Sequence, residues 1–213
     1  MDLFNAWGIR HAGLFTFAQS PKHIGLYQKF GFHARFLTAV MTKPVTASRT
    51  PNDLFRYSAL TEAQQAEVLR ACRDLTESIW GGLDLEREIR DVQQHNLGET
   101  LLLWDDSQLI GLAVCHYGPG TEGGDQCCYI KFAAVNPGPD AGTKFEELLD
   151  ASETLATTQH LPCIEGGVSL PREDAYNRML AHSFRIMILG VAMHKPNEPG
   201  YHREGMYVVD DWR

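Results

Sequence analysis

Nine histidines, five cysteines and a scatter of tyrosines and carboxylates are the groups in this chain that could move protons or hold metals. The histidines show no H-E-x-x-H or comparable ligand pair, so no metal site is expected. Cys72, Cys115, Cys127, Cys128 and Cys163 form an odd set without a C-x-x-C pair. That pattern argues against a disulfide framework and a zinc knuckle, and predicts reduced thiols with Cys115 and Cys163 buried. Cys127 and Cys128 are strand neighbours, so they point to opposite faces and cannot chelate together. No G-x-S-x-G elbow, Walker loop or dinucleotide fingerprint occurs, which removes the commonest hydrolase, nucleotidase and dehydrogenase chemistries. What remains are isolated candidate bases, His116, Asp125 and Tyr129, none in a diagnostic spacing. His116 beside Tyr117 also reads as a hydrogen-bonded strand-end histidine, and Tyr129 as a packing residue.

The bulk properties bound the partners. A length of 213 residues holds one full domain and a remnant of another. The formal charge is −8, with no Lys/Arg cluster, so phosphate backbones find no extended basic surface and nucleic acid is not an expected partner. The apolar runs are short of the ~18 residues that span a bilayer, and the first ten residues lack a basic-then-apolar leader; the expectation is a cytoplasmic protein without membrane association.

Chemistry needs elements to position it, and these are legible. Gly13 to Ala18 reads as a strand, and Ser20-Pro21 opens a helix through a serine cap and a proline at the first helical position, running to about Phe30. Gly31 ends it, and His33 to Met41 is a second strand. Thr46 to Asp53 is polar and aperiodic, a linker. Thr61 to Gln64 fits a capping box ahead of an amphipathic helix through Ile79, and Asp84 opens a second helix ending near Gly98. Two apolar runs, Thr100 to Trp104 and Gln108 to His116, flank Asp105-Asp106-Ser107 as a hairpin, and Cys127 to Val135 is a third strand. The loop Asn136 to Gly142 opens a helix with Phe145, Leu148, Leu149, Ser152, Leu155 and Ala156 inward. A strand (Cys163 to Ser169), a helix (Arg172 to Ala181), a strand (Ile186 to Met193) and a last strand (Met206 to Val209) follow. Alternating helices and strands predict an α/β or α+β fold.

The two strand-helix-strand units repeat. Val40-Met41-Thr42-Lys43-Pro44 answers Ala192-Met193-His194-Lys195-Pro196 at an offset of 193 − 41 = 152, and Phe32 falls on Phe184 at the same offset. A two-residue slip is needed to bring Pro21 onto Pro171. Unpaired strand edges of an incomplete first copy would have to dock on the second copy or on another subunit, a homodimer covering residues 1–45.

Ser20-Pro21-Lys22-His23-Ile24-Gly25-Leu26-Tyr27-Gln28-Lys29-Phe30-Gly31-Phe32 resembles the late helix signature of the GNAT acetyltransferase superfamily, and the element order from Tyr57 to Arg213 is similar to that of a GNAT domain. The resemblance implies a mixed, mostly antiparallel sheet flanked by helices, behind a truncated first copy: residues 1–45, a linker at 46–56 and a nearly complete domain at 57–213. It implies acetyl-CoA as co-substrate and transfer of the acetyl group to a small-molecule or peptide amine. It puts the coenzyme in the splay between the strand ending at Val135 and the strand starting at Cys163, with Ala134, Val135, Ala141, Gly142, Thr143 and Lys144 as its binding residues. It also implies a backbone NH on Phe132 to Val135 as the donor to the thioester oxygen. Small residues are wanted at the helix start because amides at a helix amino terminus must approach the diphosphate closely. Asp140 stands where the family has a cation or neutral polar group, a carboxylate that would repel phosphate and compete for the same amides as an N-cap. The family's tyrosine that assists the departing thiolate matches Tyr27 in the first copy and aligns with Met179 in the second. These departures leave a rival expectation, a degenerate GNAT module with a structural or dimerisation role.

Overall fold

The computed structural model describes residues 2–46 and 54–211, so most of the expected linker lies outside the described residues. A short helix α1 (Asp2–Ala6) precedes strand β1 (Ala12–Phe17), helix α2 (Pro21–Gln28) and strand β2 (His33–Pro44). Helices α3 (Glu62–Ile79) and α4 (Glu86–Gln94) lead into the meander β3 (Gly98–Asp105), β4 (Gln108–Gly118) and β5 (Gly124–Val135). Helix α5 (Ala141–Thr158), strand β6 (Cys163–Ser169), helix α6 (Glu173–Ala181), strand β7 (Arg185–Lys195) and the two-residue β8 (Val208–Val209) complete the chain. All strands join one sheet in the order β1-β7-β2-β6-β5-β4-β3, with β8 beside β5; β5 and β6 are the parallel pair. The mixed, mostly antiparallel sheet is the expected fold class.

Local chemistry explains the element ends. Thr61 accepts from the Gln64 amide while the Gln64 side chain returns to the Thr61 amide, the reciprocal cap that the sequence predicts. Ser20, by contrast, makes no side-chain cap bond; α2 starts on the fixed φ of Pro21 alone. Asp84 does not cap α4 but accepts the Glu86 amide at 2.8 Å from just outside the helix. One core packs α3 and α4 on a sheet face through Leu69, Leu75, Ile89, Leu112 and Phe132. The other packs α5 and α6 through Phe145, Leu148, Leu155, Met179 and Ile130. Each such large apolar side chain contributes about 1.5–3 kcal/mol of transfer free energy. Among the described residues no helix is long and apolar enough to cross a membrane.

Four strands carry a two-fold repetition. The Thr38↔Gly190 pair lies at its centre, since 190 − 38 = 152. Each pairing on one side recurs on the other after a shift of 152: Val40↔Ile188 answers Phe36↔Ala192, and Met41↔Ile186 answers Ala34↔Met193. The bulges obey the same rule, for one passes over Arg35 and the other over Met187. The run Ala12↔Lys195 to Phe17↔Gly190 between β1 and β7 becomes Lys43↔Ile164 to Thr38↔Ser169 between β2 and β6. Helices α2 and α6 begin at 21 and 173, again 152 apart, so the expected two-residue slip is absent and Pro21 falls on Glu173. Each half therefore inserts one strand into the other: β2 lies between β6 and β7, and β7 between β1 and β2. The strands of the first unit thus pair with those of the second, leaving the outer edge of β1 at the end of the sheet.

Candidate functional site

Strands β5 and β6 run parallel from Cys127↔Cys163 to Ile130↔Gly166 and then part. The gap that opens is filled by the chain's own last strand. Val208 and Val209 pair antiparallel with Ala134 and Ala133, and the Val135 amide donates to the Tyr207 carbonyl at 3.4 Å. The wall opposite is glycine: a Cβ on Gly166 would stand 2.7 Å from a Val209 methyl, and one on Gly167 would overlap the Asp211 side chain. The segment is anchored by charge. Arg172, fully buried, donates to the Val208 carbonyl at 2.9 Å and pairs with Asp210 at 2.9 Å. Tyr129 donates to Asp211 at 2.6 Å and Tyr201 to Asp210. The edge of β5 on which a backbone donor is expected is thus engaged by the tail.

The helix start beyond this gap is covered on one side, at Gly142. Ala141 and Gly142 are buried and Thr143 is exposed. Asp140 occupies the N-cap position of α5, yet its carboxylate bonds no helix amide. The Arg178 guanidinium lies against Gly142, where a Cβ would overlap it, and pairs with Glu146 at 2.5 Å across the α5–α6 mouth. Asp140 and Lys144, with Asn136, Pro139 and Ser78, line an open hollow of about 670 Å³ on the other side of this helix start. Residues 207–211 thus hold the β5 edge and the glycine wall, where the resemblance puts the acyl-coenzyme A arm.

The two-fold carries one wall of this gap, β6, together with α6 onto β1 and α2, where a hollow is open. Gly167, Val168, Ser169, Ala175 and Met179 correspond, 152 residues earlier, to Phe15, Thr16, Phe17, His23 and Tyr27. Those five, with Val40 and Ile188, line a cavity of about 280 Å³. His23 and Tyr27 stand one turn apart on α2, so both rings reach the same hollow. Whereas Ala175 and Met179 are fully buried, His23 is exposed and Tyr27 half-buried.

The other candidates go elsewhere. His116 is buried between two carboxylates, Nδ1 at 2.8 Å from Glu122 and Nε2 at 3.0 Å from Glu88. Burial works against its protonation, but the two partners win and raise its pKa. Glu122, also held by Lys131 at 2.6 Å, is depressed to about 2 against the effect of its burial. This is an ion-pair clamp joining α4 to the β4–β5 loop. Asp125 is exposed on β5.

Two cysteine expectations are corrected. Cys127 and Cys163 are joined as a disulfide between parallel neighbours, and Cys163 is half-buried. Odd counting and spacing miss this pair because the sheet, not the sequence, sets the residues 4.7 Å apart at Cα. Glu165 lies beside them, forming the one grouping of metal-ligand atom types within 4.8 Å among the described residues, and there the sulfurs are bonded to each other. Sequence reasoning also misses a histidine cluster: the rings of His11 and His194 lie 5.0 Å apart, and those of His194 and His202 4.6 Å. Burial lowers the pKa of all three, that of His194 to about 4. His11 lines a hollow of about 820 Å³ with Trp80, Gly82, Glu198 and Tyr201. No spacing rule brings position 11 to 194.

No family profile matches the chain, and no curated protein does. Solved structures do. A GCN5-related N-acetyltransferase from Sphaerobacter thermophilus aligns over 89% of this chain and 61% of its own at 16% identity and TM-score 0.52. A GNAT-family acetyltransferase from Colwellia psychrerythraea covers 85% of this chain and 64% of its own at 12% identity and TM-score 0.56. The N-myristoyltransferase of Saccharomyces cerevisiae, solved with bound myristoyl-CoA, covers 90% and 53% at 11% identity and TM-score 0.57. The chain spans between about half and two thirds of the length of these three proteins. It has the GNAT fold.

Proposed function

We propose that the protein is an N-acyltransferase that moves an acyl group, acetyl in the simplest case, from a coenzyme A thioester to the amine of a small molecule or peptide, and that its working cleft is in the first half, around Tyr27. The observation that carries this reading is the correspondence of the two clefts. The place where the GNAT fold holds an acyl-CoA is filled by the tail in the second half, and its two-fold counterpart is an open hollow bearing a phenol. Residues 1–45 and 57–213 are read as copies from an internal duplication, joined by a linker at 46–56. The second copy serves as scaffold, with Met179 where a proton donor would stand.

The chemistry asked of Tyr27 is modest. The thioester is supplied by the co-substrate, and a thiol with an ordinary pKa of ~8.5 leaves tolerably as thiolate, so a positioned hydroxyl adds on the order of 10²–10⁴-fold. Tyr27 would give its proton to the departing sulfur, and the attacking amine must arrive neutral.

The test is acyl transfer from acetyl-CoA to an amine panel. Tyr27→Phe is expected to lower kcat about 10²-fold with little change in KM, the deficit shrinking with thioesters of more acidic thiols. Thr143→Asp, an exposed position at the α5 start where a carboxylate would repel a diphosphate, is expected to leave transfer unchanged. Unaltered kcat in Tyr27→Phe, or activity that follows Thr143, would place the chemistry elsewhere.

A further inference from the structure

We propose that the gap between β5 and β6 is a slot for an extended acidic peptide strand, filled in cis by Tyr207–Asp211 and closed to acyl-CoA. The slot offers what such a strand needs. One side is the β5 edge, which pairs with Val208 and Val209 and donates the Val135 amide to Tyr207, the geometry of strand addition. The other side, Gly166 and Gly167, lacks the side chains that would collide with a second backbone.

The ends are chemically specific. Two adjacent carboxylates are received separately, Asp210 by Arg172 and Tyr201, and Asp211 by Tyr129. Val208 and Val209 are fully buried and join the two cores on either sheet face. A guanidinium buried at 0% exposure is costly unless matched by a charge-assisted bond, so the slot selects an anion at the position after the second valine. A pantetheine arm presents amides and a thioester but no carboxylate pair, and would leave Arg172 unmatched.

This inference shares with the transferase reading the observation that the tail fills the gap, but peptide binding in the slot and acyl transfer at Tyr27 are read by separate assays, so either can fail alone. The Val135 amide reports on the slot by hydrogen exchange in the full chain. In the wild type it should exchange as slowly as neighbouring core amides. In Asp210→Ala/Asp211→Ala it should exchange at least tenfold faster, and a synthetic Met-Tyr-Val-Val-Asp-Asp peptide at millimolar concentration should slow it again. The same peptide with two asparagines, and acetyl-CoA, should not. Fast exchange in the wild type, rescue by the asparagine peptide, or slowing by acetyl-CoA would each overturn the proposal. If the double variant does not fold, Tyr129→Phe removes one carboxylate partner and should raise the same rate severalfold; an unchanged rate counts against the slot.

Discussion

Replacing Arg172 by methionine should be among the most damaging single changes in this protein, and its cost can be worked from the contacts. The guanidinium is fully buried, 2.9 Å from Asp210, whose own side chain is 2% exposed. Removing one member of a buried pair leaves the other charge without its partner, at a cost of about 3–5 kcal/mol. The Val208 carbonyl also loses its 2.9 Å donor, adding about 1 kcal/mol. Against a total stability of roughly 5–15 kcal/mol, a loss of about 4–6 is a large share. With an m-value of about 2 kcal/mol per M, the urea midpoint should fall by roughly 2–3 M. Asp210→Asn should cost a comparable amount, and the double variant much less than the sum, with a coupling of at least about 2 kcal/mol. Urea unfolding followed by tryptophan fluorescence measures all three. Single-variant losses under about 1 kcal/mol, or additive ones, would show that these groups reach water, and the anchoring of the tail argued above would be wrong.

Two glycines should respond with opposite sign. A Cβ placed on Gly190 would overlap the Phe15 ring and stand 2.8 Å from the Thr16 carbonyl oxygen, so Gly190→Ala should destabilise by about 1–3 kcal/mol. Gly25→Ala on α2 meets nothing within 4 Å and should stabilise by up to about 1 kcal/mol; thermal melts decide both. Reducing the Cys127–Cys163 bond, which closes a separation of 36 residues, should lower stability by up to about 4 kcal/mol, read as a drop in urea midpoint on adding reductant. Burial holds His194 near 4, below its unfolded value of about 6.5, so its contribution is intact above a pH of about 6.5 and lost as pH falls toward 4, up to about 3 kcal/mol. His194→Asn should make that acid limb shallower, the lowered His11 and His202 keeping the remainder. The raised His116 acts in the opposite sense, its stabilisation present below a pH of about 6.5 and lost as pH rises through its folded value.

Much of this architecture could be read from periodicity and punctuation, because those signals are local. The Thr61 capping box, the hairpin turn expected at Asp105-Asp106-Ser107 and the inward face of α5 each depend on residues within a few turns; each is present, the turn shortened by the Asp105↔Gln108 pair. The repeat was visible through Met41-x-Lys43-Pro44, yet its full register needed the pairings, since Phe15 and Gly167 share no chemistry that marks them as equivalents. What stayed hidden is long-range: the disulfide, the histidine cluster and the tail in the β5–β6 gap join positions far apart in the chain, 36 residues for the disulfide. The run Met206 to Val209 was legible as a strand, but nothing local says which edge a two-residue strand will choose.

Size exchange between the halves explains why one cleft closed and the other did not. Gly167 leaves room for a backbone to pass β6, and the tail passes there; at the equivalent place on β1 Phe15 puts a ring over Gly190. Met179 is apolar and fully buried, while its counterpart Tyr27 lines an open hollow. Two halves that share one register thus differ in what fills them: the half that accepts the strand gains core and anchoring charge, and the half that excludes it keeps an open hollow.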